Sequence, residues 1–193
     1  MNTLLVRFLD GVPPWMGEGL QRFLTQAFAL DTQLQWAARD LSEALDQRRG
    51  QYESTAILRM LLKEHEAHRG HVLGVTTVDL YVPMLSFLFG HAQLEGKVAL
   101  VSLARLRQEF YGLKPDHPLA LERLQKEAAH ELGHTFGMKH CLNAQCCMSL
   151  STAIEQVDTK RAEFCGGCRS LLRELVAAER SASVAEGKEE VPS

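Results

Sequence analysis

The stretch His130–Cys141, with the sequence HELGHTFGMKHC, constrains this chain more than any other part of it. His130 and His134 are four residues apart, so a helix places both rings on one face, one turn apart, where they can bind one metal ion. Glu131 lies roughly 100° around that helix from His130 and can lean over the metal without binding it. The stretch therefore predicts a helix that carries two metal ligands and one carboxylate.

Gly137 and His140 extend this pair to a site with three ligands. The helix should end at Gly137 in a left-handed conformation that a Cβ atom would resist, and the turn lets His140 return as the third ligand. Three protein nitrogens leave one coordination position open, which is typical of a catalytic zinc site rather than a closed structural one. The pattern HExxHxxGxxH resembles the metzincin signature, whereas a plain helix with two exposed histidines would need neither Gly137 nor His140.

All five cysteines lie between Cys141 and Cys168. Cys141 and Cys146 form one close pair, and Cys165 and Cys168 form a second pair at the start of the last predicted helix. Four cysteines in two such pairs make a closed tetrahedral zinc site, which contributes folding free energy; free buried thiols are the alternative. Cys147 is left over, either as a packed thiol or as a ligand in place of Cys146, and we favour the first interpretation.

The length and composition suit one domain with a sizeable core, because the chain has 193 residues of which 46% are hydrophobic. We expect residues 1–180 to form that domain, with the cysteine site at 141–168 inside it, and the polar residues 181–193 to be a disordered tail. The net charge is −3 and the basic residues do not cluster. We therefore expect neither nucleic acid nor an anionic membrane surface as a partner.

The first residues, MNTLLVRFLDGVPPW, contain only a short apolar run, which Arg7 and Asp10 interrupt. That run is too short and too charged for the core of a signal peptide, and no apolar stretch approaches the roughly eighteen residues of a membrane span. The cysteine cluster agrees with a reducing compartment, because secreted proteins more often distribute cysteines as disulfides. We therefore expect a cytoplasmic protein.

Hydrophobic periodicity predicts a chain of mixed strands and helices. The expected strands are residues 3–9, 33–37, 74–82, 85–90 and 98–106, and the main helices are expected at about 16–30, 54–68 and 119–136 and in the region that follows 168. His65, His68 and His71 would then fall near the end of the second helix, where cations suit the helix dipole, and we assign no metal to them. His91 and His117 would lie in turns and have no assigned role.

The zinc-binding stretch, followed by CCM at 146–148 and FCGGC at 164–168, resembles the archaemetzincins, and the similarity extends from about Asp79 to Cys168. The resemblance implies a compact metzincin-like α+β fold: a mixed, twisted β-sheet with packed helices, an active-site helix below a cleft, and a small C-terminal zinc-knuckle part. It also implies Met148 in a tight turn beneath the catalytic metal and two zinc ions per chain. The implied ligands are His130, His134 and His140 for the catalytic zinc, and Cys141, Cys146, Cys165 and Cys168 for the structural zinc.

These features favour a zinc-dependent peptidase that hydrolyses peptide bonds with a metal-activated water and with Glu131 as general base. Its partner would be a peptide or protein substrate. The substrate would extend along an exposed sheet edge formed by LSFLFGHAQ, residues 85–93. We expect the enzyme to be a monomer.

Two other functions fit parts of the pattern. A non-catalytic zinc-binding protein is the main alternative, because Cys141 directly follows His140 and a small shift of the loop could close or empty the peptidase site. A zinc knuckle that binds nucleic acid would use Arg161, Arg169 and Arg173, but the acidic balance of the chain argues against it.

Overall fold

The computed structural model describes residues 3–65, 68 and 70–186 of the chain. Within this part, the α-helices are α1 (Pro14–Phe28), α2 (Ser54–His65), α3 (His117–Thr135), α4 (Ile154–Thr159) and α5 (Gly166–Glu186). The strands are β1 (Thr3–Phe8), β2 (Thr32–Trp36), β3 (Leu45–Asp46), β4 (Gln51–Glu53), β5 (Gly70–Thr76), β6 (Leu80–Val82), β7 (Leu85–Leu88), β8 (Gly90–Ala92) and β9 (Val98–Ser102). Mixed sheets with packed helices confirm the predicted α+β class.

The main sheet has five strands in the order β2-β1-β5-β9-β8. The first four pair in parallel, whereas β8 runs antiparallel to β9 and forms one edge. Every residue of β5 and β9 is buried, because helices cover both faces, as parallel strands require. Alternate side chains serve two cores: Val75 and Val101 pack in the cluster with α1 and α3, and Val72 and Leu100 pack in the cluster with α2.

A second sheet, in the order β3-β4-β6-β7, lies beside the first. The expected strand 74–82 is divided between the two sheets, because the hydroxyl of Thr76 and the N–H of Thr77 both donate to the carboxylate of Asp10, at 2.6 and 2.8 Å. The chain therefore leaves the main sheet after β5 and continues as β6. The expected strand 85–90 is divided in the same way, into β7 of the second sheet and β8 of the main sheet.

Two other expected boundaries were wrong. β9 ends at Ser102 rather than at residue 106, because its hydroxyl accepts the N–H of Ala104 at 3.0 Å and starts a 3-10 turn. α2 ends at His65, so the expectation that His71 lies near the end of this helix was also wrong. His71 is a buried residue of β5.

The helix that carries the HExxH pattern, α3, has capped ends and a largely buried surface. The carboxylate of Asp116 accepts the N–H of Leu119 at 3.0 Å and so caps the first turn. The helix packs against β8, β9 and α1. At its end the N–H of Gly137 donates to the carbonyl of His134 and the N–H of Met138 donates to the carbonyl of Gly133, at 2.9 and 3.0 Å.

This hydrogen-bond pair at the end of α3 is a Schellman motif, which requires a left-handed residue after the helix. Gly137 has a φ of +91°, so the conformation predicted for it is confirmed. The turn sends the chain back toward the face that carries His130 and His134.

The C-terminal helix α5 continues to Glu186. It therefore includes the first residues of the tail that was expected to begin at residue 181, and residues 187–193 lie outside the described part of the chain. None of the helices described is long and apolar enough to cross a membrane.

Candidate active site and metal centres

Three histidines converge at the end of α3. His130 and His134 lie one turn apart on the helix, and His140 follows on the loop beyond Gly137. One ring nitrogen of each lies within 4.8 Å of the others. His130 is buried, His134 is partly buried and His140 is exposed, so the cluster opens to solvent on the side of His140.

Backbone carbonyls determine which nitrogen each helical histidine presents. Nδ1 of His130 donates to the carbonyl of Cys147 at 2.8 Å, and Nδ1 of His134 donates to the carbonyl of Met138 at 2.7 Å. Burial lowers the pKa of both rings, which favours the neutral form with a lone pair on Nε2. The structure brings the Nε2 atoms of the two rings to 3.1 Å from each other.

This donor set fits a zinc ion. Two lone pairs that face each other across such a distance repel unless a cation lies between them. Nitrogen ligands about 2.0–2.1 Å from a tetrahedral zinc ion are about 3.3–3.4 Å apart, which is close to the distance between these Nε2 atoms. The hydrogen bonds at Nδ1 are the outer support that metal-binding histidines usually have.

Glu131 lies buried at the exposed edge of the main sheet. Its side chain contacts Gly90 of β8 so closely that a Cβ atom on this glycine would lie 2.6 Å from Oε1. Burial, and secondly the carboxylate of Glu127, raise the pKa of Glu131 well above its usual value. A dication held by the histidines would favour the ionised form.

A buried ion pair behind Glu131 was not anticipated from the sequence. Nζ of Lys160, just after α4, lies 2.9 Å from Oε1 of Glu127, and the two side chains are 1% and 4% exposed. Glu127 is one helical turn before Glu131. The charge of Lys160 adds to the effect of burial in lowering the pKa of His130 and of His140. Glu127 and Lys160 are 33 positions apart in the chain, and nothing in the sequence indicates that these two charged side chains pair inside the core.

Met148 lies in a tight turn beneath α3. The N–H of Ser149 donates to the carbonyl of Cys146 at 2.9 Å and closes the turn. Met148 is fully buried, and a Cβ atom added to Gly133 would lie 2.5 Å from its Sδ. The turn therefore packs directly against the helix segment between the two helical histidines.

The two cysteine pairs meet at the start of α5. The Sγ atoms of Cys141, Cys146, Cys165 and Cys168 lie within 4.8 Å of one another. The separation between Cys141 and Cys165 is 3.8 Å, far longer than the roughly 2.05 Å of a disulfide. This Sγ–Sγ separation equals the distance of about 3.8 Å between two sulfur ligands that each lie about 2.3 Å from a tetrahedral zinc ion.

Cys146, and not Cys147, contributes its sulfur to this cluster. A hydrogen bond from the Cys147 thiol lowers the pKa of Cys146 to about 4, which favours the thiolate that a metal ligand must be. The same hydrogen bond, and secondly burial, raise the pKa of Cys147, which therefore keeps its proton.

The other histidines have partners of their own. His71 stacks on Phe136 with ring centroids 3.8 Å apart, and its Nδ1 bonds the Thr135 hydroxyl at 2.7 Å. Nδ1 of His91 bonds the Ser54 hydroxyl at 2.8 Å. Across the described ranges, the histidine and cysteine clusters are the two groups that could hold a metal.

Comparison with known proteins agrees with this arrangement. Residues 25–174 match the family described as Peptidase family M54. The archaemetzincin of Methanopyrus kandleri is 40% identical over 176 residues, which cover 90% of this chain and 96% of that protein.

Two crystal structures also match over most of their length. One is an archaemetzincin from Methanopyrus kandleri, with a TM-score of 0.80, 37% identity and coverage of 91% of this chain and 96% of that one. The other is a zinc-dependent peptidase from Methanocorpusculum labreanum, with a TM-score of 0.81, 30% identity and coverage of 88% and 99%. The chain belongs to peptidase family M54, the archaemetzincin family of zinc metallopeptidases.

Proposed function

We propose that this protein hydrolyses peptide bonds with a zinc ion held by His130, His134 and His140 and with Glu131 as general base. The proposal is carried by the convergence of three ring nitrogens beside a buried carboxylate at the edge of a sheet. Burial of a carboxylate costs folding free energy. Since no hydrogen bond or ion pair holds the Glu131 carboxylate among the described residues, its position points to chemistry rather than to stability.

Each protein group has a distinct part in the proposed reaction. Zinc in such a site acts as a Lewis acid that lowers the pKa of water and polarises a carbonyl group. His130 and His134 present Nε2 because carbonyls hold their Nδ1 atoms, so the ligands are oriented in advance. Glu131, whose pKa is raised by burial, accepts a proton from the attacking water and returns it to the leaving amine.

The proposed substrate is an extended peptide that adds to the main sheet at β8. Within the described part of the chain this strand pairs with β9 on one side only, and its other side is an edge that can accept a further strand. Gly90, at the start of β8, contacts Glu131. A peptide aligned on β8 would therefore pass close to the proposed base.

A second, structural zinc ion is proposed for Cys141, Cys146, Cys165 and Cys168, which gives two zinc ions per chain.

Each site takes all its ligands from one chain, which supports a monomer. The five cysteines, all of them within the described residues, form no disulfide, which supports a reducing, cytoplasmic location. The loop that the two sites share supports a single catalytic domain over residues 1–180. The net charge of −3 supports a peptide or protein, rather than nucleic acid, as the partner.

Replacement of the proposed base tests this function directly. Glu131→Gln keeps the size of the side chain but removes its ability to accept a proton, so peptide cleavage should fall by about 10²–10⁴-fold while zinc content stays unchanged. Glu174→Gln, at an exposed position of α5, is the control and should cleave like the wild type. Mass spectrometry of the metals gives the zinc content of each protein.

Two outcomes would contradict the proposal. Equal cleavage by wild type and Glu131→Gln, both with zinc bound, would remove Glu131 as the base. A wild type that binds zinc at the three histidines but cleaves nothing across a broad peptide library would favour the non-catalytic zinc-binding alternative.

A further inference from the structure

The loop between α3 and α4 belongs to both clusters at once. His140, the last residue of the histidine cluster, is followed directly by Cys141, the first residue of the cysteine cluster. Cys146 and Met148 follow on the same loop, and residues 136–153 contain neither helix nor strand. A segment without regular structure must be held by other contacts if it is to position a side chain accurately.

The loop makes two contacts that support the histidine cluster from below. The carbonyl of Cys147 accepts the Nδ1 proton of His130 at 2.8 Å, and this bond decides which nitrogen and which ring orientation His130 offers to a metal. Met148 packs against α3 at Gly133, where a Cβ atom would lie 2.5 Å from Sδ. Displacement of this turn would rotate His130 and loosen the packing between the two helical histidines.

The contacts that hold this turn in place run mainly through the cysteines. The N–H of Cys141 donates to the carbonyl of Met148 at 2.9 Å, and the N–H of Cys147 donates to the carbonyl of Glu163 at 3.0 Å. The N–H of Cys165 donates to the sulfur of Cys146 at 3.3 Å. A metal bound by the four sulfurs would tie Cys141 and Cys146 of this loop to Cys165 and Cys168 at the start of α5.

We propose that the four-cysteine site positions His130: metal bound by the cysteines holds the Cys147 carbonyl in place, so the histidine cluster binds its own metal tightly only when the cysteine site is filled. The inference rests on the proposed function of the histidine cluster. Cys165 and Cys168, which belong to the cysteine cluster and not to the histidine cluster, are then positioning residues. Because coupling between two binding sites is reciprocal, metal at the histidines should also tighten binding at the cysteines.

A purely stabilising cysteine site predicts a different result. It would lower the melting temperature when emptied but leave the metal affinity of the histidines unchanged as long as the protein stays folded. Leu172→Ala provides the comparison, because Leu172 is buried on α5 at 3% exposure and its truncation destabilises the core without removing a metal ligand.

Cobalt titration of metal-free protein tests the coupling without any measurement of cleavage. Cobalt bound to thiolates gives a charge-transfer band that cobalt bound to histidines lacks, so the two sites can be followed separately. The proteins are wild type, Cys165→Ser/Cys168→Ser and Leu172→Ala, each held well below its melting temperature and checked by circular dichroism. We expect the cysteine double variant to bind cobalt at the histidines roughly 5–150-fold more weakly than wild type, and Leu172→Ala to match wild type.

A measurement on wild type alone covers the case in which the cysteine double variant does not fold. Cadmium, a soft ion that prefers thiolates, is added first to fill the cysteine site. Cobalt affinity at the histidines is then compared with that of wild-type protein whose cysteines are capped as methyl disulfides, so that no metal can enter the cysteine site. Equal affinities, or a folded double variant with wild-type affinity at the histidines, would overturn the coupling and leave the proposed peptidase intact. Histidines that bind no metal in any of these proteins would overturn the proposed function together with the coupling.

Discussion

Gly90 and Glu131 are in direct contact, with the glycine on the edge strand β8 and the carboxylate on α3: a Cβ atom at Gly90 would lie 2.5 Å from Cγ of Glu131 and 2.6 Å from its Oε1. The side chain of Glu131, the proposed base, therefore occupies the space that a side chain at position 90 would need. Gly90 does not have a positive φ angle. The need for glycine at this position therefore comes from the contact with Glu131 and not from the backbone conformation.

Gly90→Ala should displace Glu131 with little effect on the rest of the fold. A misplacement of about 1 Å at a reacting group can reduce a rate by about 10²-fold, so we expect cleavage to fall by about 10–100-fold while zinc content stays at the wild-type value. Gly11→Ala is the control, because no atom of the described residues lies within 4 Å of a Cβ atom there. Wild-type cleavage rates in Gly90→Ala would show that the position of the Glu131 carboxylate is not critical.

Gly137→Val should weaken metal binding at the histidines. Gly137 has a φ of +91°, and a Cβ atom would also lie 3.0 Å from Cγ of Glu95, so valine would force the Schellman turn to open and move His140. We expect the protein to keep the metal of the cysteine site and to lose that of the histidines first during dialysis against a chelator.

Gly112→Val separates the effect of position 137 from general backbone strain. Gly112 has a φ of +75°, but none of the residues that the structure describes comes within 4 Å of a Cβ atom there, so valine imposes comparable strain away from the histidines. Equal metal retention by Gly137→Val and wild type would contradict the role of the turn in placing His140.

The active-site helix could be predicted from the sequence because its signal is local. The spacing of His130, His134 and Gly137 is read directly from a helical repeat and its ending. The structure brings His130 and His134 together and gives Gly137 the expected left-handed conformation. The partners at Nδ1 could not be predicted in the same way. They are backbone carbonyls, and every residue carries one, so the choice of Cys147 and Met138 depends on the folded loop.

The second sheet and the buried ion pair could not be predicted for different physical reasons. β3 and β4 have two and three residues, which is too short for an alternating pattern to emerge. Glu127 and Lys160 look like ordinary surface residues, since charged side chains are rarely buried unless they are paired, and their pairing depends on how α4 docks against α3. His71 was misplaced because its segment was assigned to a helix end, whereas it continues the apolar pattern of β5.

Cys165→Ser should remove the metal from the cysteine site. A structural zinc site of four thiolates contributes apparent binding free energy on the order of 10 kcal/mol, so loss of one ligand should lower the melting temperature sharply and reduce bound zinc by one ion per chain. Cys147→Ser is the matched control: its sulfur lies outside the cluster, so the zinc content should stay unchanged. Unchanged zinc content and melting temperature in Cys165→Ser would contradict the assignment.

Lys160→Met should destabilise the fold strongly, because it leaves the carboxylate of Glu127 buried without its partner. Burial already raises the pKa of Glu127, and Lys160 opposes that rise; removal of one partner of a buried pair typically costs about 3–5 kcal/mol. Urea denaturation at saturating zinc measures this loss, and Glu127→Gln in the same chain should recover part of it, since the unpaired charge is then gone.

Arg169→Met is the control, because Arg169 and Glu163 form a long, exposed pair at 3.8 Å whose loss should change stability by less than about 1 kcal/mol. If Lys160→Met costs no more than Arg169→Met, the buried pair does not support α3, and the position of Glu131 must depend on its contact with Gly90 and on the packing of the helix alone.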